Sequence, residues 1–83
     1  MEFTKHVRVR EEKFGSVIFE TLKEKVFVTN ETGSSILRLL KEGKSPEEII
    51  SILDELYDSE PQKVVRDEVT DFISSLRENN LLE

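Results

Sequence analysis

The sequence predicts an α+β fold in which a three-stranded antiparallel sheet is followed by three helices. Three observations predict it. The first thirty residues hold short β-branched and aromatic runs separated by Gly15 and by charged clusters. After Asn30 the apolar spacing changes from period two to the helical repeat. Two proline-marked starts, Ser45-Pro46-Glu47-Glu48 and Pro61, then divide the remainder into three helical segments.

Each element follows from its own residues. Val7 and Val9 alternate with Arg8 and Arg10, the period of a half-buried strand, and the run ends in Glu11, Glu12 and Lys13 before Gly15 breaks it. The run SVIFETL and, after Lys23 and Glu24, the run KVFVT form a hairpin. Its tip has no Asn-Gly pair, so its turn type is left open. Asn30 suits an N-cap, because its side-chain oxygen can accept from unpaired amides of the first helical turn, and Glu31 favours the positive end of the helix dipole. This first helix runs through Ile36, Leu37, Leu39 and Leu40 to a stop at Gly43. Gly33 lies on the side of Ile36 and Leu40, where a missing side chain lets the helix backbone approach the sheet; no glycine-rich phosphate motif surrounds it.

Ser45, Pro46 and Glu48 form a capping box with proline at the first helical position. Ile49, Ile50, Ile52, Leu53, Leu56 and Tyr57 give the second helix a broad apolar face against more than one neighbour. Pro61 restarts the pattern in the same way. The third helix, from about Pro61 to Asn79, carries Val65, Val69, Phe72, Ile73 and Leu76 on one stripe. Asn79-Asn80 then suits a left-handed stop, after which Leu81 and Leu82 fold back onto the core. Three strands cannot close a barrel, and in a plain meander the strand from Lys25 to Thr29 becomes an edge.

The 83 residues are expected to form one domain, 1–83, with little room for a buried catalytic cavity. Without cysteine there is no disulfide framework and no thiolate metal site, and the N-terminal stretch lacks the apolar run of a signal peptide. A cytoplasmic protein with no membrane segment is therefore expected. The net charge is −6. Residues 1–30 carry six basic and five acidic side chains, whereas residues 31–83 carry six and thirteen. Such an acidic second part repels phosphate backbones and suits a basic partner, or simply keeps a small domain in solution.

Catalytic readings do poorly. His6 is the single histidine and reads as a solvated strand residue. Ser34 and Ser35 have no histidine at a plausible spacing. Asp67, Glu68 and Asp71 share one side of the third helix without further ligands, so no metal site is assigned. The helix–turn–helix spacing of ILRLLKEGKSPEEIISIL beside a sheet makes the fold winged-helix-like. The helices nevertheless carry Glu47, Glu48, Asp54, Glu55 and Asp58 where phosphate-binding Lys and Arg would be needed, so no nucleic-acid partner is expected. A module that binds protein remains. Val64 falls roughly 120° from the third helix's apolar stripe, beside Glu68 and Asp71; it either lines a shallow groove or is a scattered exposed valine.

The ordered set of a hairpin strand, NETGSSILRLL, EGKSPEEIISILDELY and DEVTDFISSLRENNLL, spanning about residues 14–82, resembles the PqqD-like family. These are recognition domains for ribosomally made, post-translationally modified peptides. Two departures stand out: Thr29 replaces the usual leucine, and Asn80 replaces a common glycine. The first leaves two parities open, with either Phe27 and Thr29 or Val26 and Val28 facing the helices. The resemblance implies no cofactor and no catalysis. It implies that the leader of a precursor peptide adds as a strand to Lys25, Val26, Phe27, Val28 and Thr29, with Val64, Val65, Glu68 and Phe72 as the opposite wall. The acidic flank would favour a leader with basic residues near its apolar anchors. The implied partner is a radical SAM/SPASM enzyme or a leader peptidase, with the domain a monomer or homodimer. An acidic winged-helix-like adaptor or regulator that binds another protein is the alternative.

Overall fold

A computed structural model describes residues 2–58 and 61–83. Its elements are β1 (Val7–Glu12), β2 (Gly15–Glu20), β3 (Lys25–Thr29), α1 (Glu31–Lys41), α2 (Pro46–Leu56) and α3 (Gln62–Glu78). The sheet is antiparallel in the order β1-β2-β3, so β1 and β3 both present an edge. The expected three strands followed by three helices are all present.

The central strand shows why the sheet lies against the helices. Ser16, Ile18 and Glu20 face inward and are all buried, and Ile18 sits between Val9 of β1 and Phe27 of β3. The core beneath holds Ile36, Leu40, Ile49, Leu53, Val69 and Leu81, each at most 2 % exposed. Burying an aliphatic side chain of this size contributes about 1.5–3 kcal/mol. The Ser16 and Ser34 hydroxyls bond to each other where β2 meets α1, so neither polar group is stranded.

Turn chemistry accounts for the hairpins. Glu12 pairs with Gly15 across the two-residue turn Lys13–Phe14. Gly15 has φ +149°, and a Cβ there would overlap the Thr29 carbonyl oxygen and lie 2.5 Å from the Asn30 carbonyl carbon. The turn from β2 to β3, left open by the sequence, is held by the buried Glu20 carboxylate, which accepts from the Leu22 and Lys23 amides at 2.8 and 2.9 Å.

Helix caps follow the sequence closely. The Asn30 side chain accepts from the Gly33 amide at 2.9 Å, and Ser45 with Glu48 forms the capping box. Gly43 (φ +89°) and Asn80 (φ +58°) close α1 and α3 by the same device. Amides of Gly43 and Lys44 return to Leu40 and Leu39, and those of Asn80 and Leu81 to Arg77 and Leu76, the Schellman pattern in both cases. Leu81 and Leu82 are buried as expected, and the second bridges to Phe3, tying the N-terminal segment to the C-terminal one.

Three details differ from expectation. Pro61 is the N-cap of α3, with ψ 140° and no side-chain cap, rather than its first helical residue; its carbonyl accepts from Val64 and Val65 at 2.9 and 3.3 Å. Leu56 is exposed, because it is the last residue of α2 and lies roughly 70° from the centre of the buried stripe of Ile49, Ile50 and Leu53. Val9 is 38 % exposed although it shares the inward parity of Val7, because no helix covers that part of β1 fully.

Candidate peptide-docking site

The hydrogen-bond ladder decides which backbone groups of β3 are free. Thr21 N–H donates to His6 O at 2.9 Å, which places the β1–β2 bonds at Gly15, Val17, Phe19 and Thr21 of the central hairpin. Ser16, Ile18 and Glu20 therefore direct their backbone groups to Thr29, Phe27 and Lys25. The N–H and C=O groups of Val26 and Val28 then point away from the sheet. Two donors and two acceptors along one open edge can bond an extended peptide.

Parity along β3 is now assigned. Phe27 and Thr29 are partly buried toward the helices, whereas Val26 and Val28 are 59 % and 67 % exposed on the outer face. Phe27 packs against the core, while Thr29 Oγ1 accepts from the Ser16 amide at 3.1 Å and donates to Asn30 O. A polar residue fits this position because it bonds the strand end at the seam with α1, where leucine could only pack.

A groove separates β3 from α3. One cavity of about 120 Å³ lies between Phe27, Val28 and Thr29 on the strand and Phe72, Ser75 and Leu76 on the helix. Further along α3, about 370 Å³ opens beside Asn30, Thr32, Glu68, Asp71 and Phe72. A third cavity, about 160 Å³, lies among Thr32, Tyr57, Val64, Val65 and Glu68. Phe72 joins the first two, and Thr32 with Glu68 joins the last two, so they form one path. Glu68 and Asp71 are exposed, and among the described residues no basic side chain lines the two upper cavities. The path is therefore apolar at its ends and negative in the middle.

All nine sequence-selected residues border this region except Lys25 and Val26, which lie at the outer end of β3. Val64 is 38 % exposed in the groove, while Val65 is 5 % exposed and belongs mainly to the core. Sequence reasoning did not select Thr32, Tyr57, Ser75, Leu76 or Asn79. Ser75, Leu76 and Asn79 follow Phe72 at three, four and seven residues, a helical spacing that marks this flank.

Gly33 shapes the floor. A Cβ there would lie 2.8 Å from Thr29 Cβ and 2.9 Å from Phe72 Cε1, so the ring of Phe72 reaches across the bare turn of α1. Outside the groove, Arg66 of α3 makes two bonds to the Glu47 carboxylate of α2, at 3.0 and 3.3 Å, and this holds the Arg66 guanidinium above its ordinary pKa. No group of three His, Cys, Asp or Glu side chains able to hold a metal occurs among the described residues. No helix among them is long and apolar enough to cross a membrane.

Two solved structures share this fold. A solved structure, TbiB1 in complex with the TbiA(beta) leader peptide, is 30 % identical, with TM-score 0.90 over 100 % of this chain and 95 % of that one. Lasso peptide synthetase B1 complexed with the leader peptide is 20 % identical, with TM-score 0.87 over 99 % and 95 %, and supports the fold alone. No curated protein matches the chain. The family model for coenzyme PQQ synthesis protein D (PqqD) matches residues 6–82 of the 83, and the chain belongs to this family.

Proposed function

We propose that this protein, acting as a single domain, binds the leader segment of a ribosomally made precursor peptide and presents the rest of that peptide to a modifying enzyme. The observation that carries the reading is the open β3 edge beside a groove walled by α3. An added antiparallel strand would bond Val26 and Val28 through its backbone and turn alternate side chains into the groove. Support comes from TbiB1, whose fold this chain shares and whose structure contains a leader peptide.

The domain does no chemistry of its own in this reading. It raises the effective concentration of the core peptide at the enzyme, and any cofactor belongs to that enzyme. The partner is a radical SAM/SPASM enzyme or a leader peptidase, and the site of action is the cytoplasm. Glu68 and Asp71 select a leader with a basic residue between apolar anchors.

Val28→Pro is the direct test. Its N–H points outward, so proline removes a docking donor without removing a bond to β2. The variant should keep its circular dichroism spectrum and lose leader binding by fluorescence anisotropy. Full affinity in a folded variant would exclude strand addition at β3.

A further inference from the structure

The second open edge, β1, has a groove of its own that leader docking leaves unused. A cavity of about 530 Å³, larger than each of the three described along α3, lies between β1 and α1. Val7, Val9 and Leu37 give it an apolar floor, and Val9 faces this space with 38 % of its surface exposed. The ladder that frees Val26 and Val28 also frees the outward groups of Val9 and Glu11, because β1 bonds β2 through Arg8, Arg10 and Glu12. The neighbouring Val7 is already satisfied: its N–H donates to Thr4 O, and its carbonyl accepts from Arg8 Nη1 at 3.0 Å.

Charge identifies the occupant. Arg8, Arg38 and Lys41 line this cavity with one carboxylate, Glu11, which pairs with Arg38 at 3.0 Å. The rim is thus positive on a protein of net charge −6, and opposite in sign to the Glu68–Asp71 stretch across the molecule. Self-pairing centred on Val9 is disfavoured, because it would set Arg8 of one copy against Arg10 of the other.

We infer that the β1–α1 groove is a second strand-docking site, and that it takes an extended acidic segment of a partner protein with apolar residues at alternate positions. Inward residues of that segment fill the space over Val9, and its carboxylates meet Arg8, Arg38 and Lys41. The two edges then hold two different chains at once, a basic one at β3 and an acidic one at β1. The site stands on β1 and α1 alone and does not depend on what β3 binds.

The test is an amide-resolved NMR titration of the full chain with two short capped peptides, one alternating glutamate and valine and the other alternating lysine and valine. The glutamate peptide should shift the amides of Val9, Glu11, Arg38 and Lys41, and bind this face roughly tenfold more tightly than the lysine peptide. Val9→Pro should abolish the shifts, and Lys41→Glu, which leaves the strand intact, should weaken binding roughly tenfold. Val28→Pro should have no effect on them. Shifts confined to β3 and α3, equal response to both peptides at β1, or no response at β1 would each overturn the inference.

Discussion

Gly33→Ala probes the junction where strand, first helix and third helix meet. The new Cβ would lie 2.8 Å from Thr29 Cβ and 2.9 Å from Phe72 Cε1. Apolar carbons rest about 3.5–4.0 Å apart, so roughly 1 Å must be found on two sides at once. Overpacking of this kind costs about 1–3 kcal/mol. A clash on two sides at once puts this site at about 2–3 kcal/mol, and alanine recovers about 1 kcal/mol of helix propensity, which leaves a net loss of about 1–2 kcal/mol. At 4–8 °C per kcal/mol for a domain of this size, Tm should fall roughly 5–15 °C by differential scanning calorimetry. The displaced Phe72 ring would also enter the groove, so leader affinity should fall below that of wild type at a temperature where both are folded. Gly43→Ala is the contrast. Gly43 has φ +89° and nothing within 4 Å, so alanine there should cost about 1 kcal/mol through the backbone and leave binding unchanged. A Tm for Gly33→Ala equal to or above wild type would refute the claim that Phe72 and Thr29 close over a bare helix turn.

Val64→Asp should weaken leader binding about tenfold by isothermal titration while moving Tm by only a few degrees, because Val64 is 38 % exposed and lines the groove. A large drop in Tm would instead place it in the core. Glu48 gives a pH dependence of known sign. The Ser45 amide, and after it the Ser45 hydroxyl, hold its carboxyl below the ordinary 4.5. Its stabilising contribution is therefore complete above pH 4.5 and lost as pH falls through the lower folded value. Urea unfolding midpoints of Glu48→Gln should fall less steeply than wild type across that acid window; identical slopes would remove the capping box from the explanation.

The sequence disclosed elements wherever a local rule governed them. Asn30, Ser45 with Glu48, Gly43 and Asn80 all behave as their capping chemistry demands, since each acts on amides or carbonyls within a few residues. The stripe of Val65, Val69, Ile73 and Leu76 is buried because one periodicity placed it. Contacts between distant segments were not legible. Nothing near Phe3 marks its bridge to Leu82, and nothing near Gly15 shows the Thr29 and Asn30 carbonyls it must admit. Glu20 is a charged strand residue that is nonetheless buried, because its carboxylate serves two turn amides. Thr29 left both parities of β3 open; only the ladder and the burial of Phe27 assign them. The proposed docking region came from resemblance, since an edge strand and a helix flank are visible in sequence but their separation is not.

Hydrogen exchange at β3 tests strand addition most directly. Phe27 and Thr29 already bond to β2, whereas Val26 and Val28 point their amides to solvent. Adding the leader peptide should slow exchange at Val26 and Val28 strongly, with much smaller changes at the two residues between and after them. Unchanged exchange at Val26 and Val28 under saturating leader, with protection appearing elsewhere, would contradict docking at this edge.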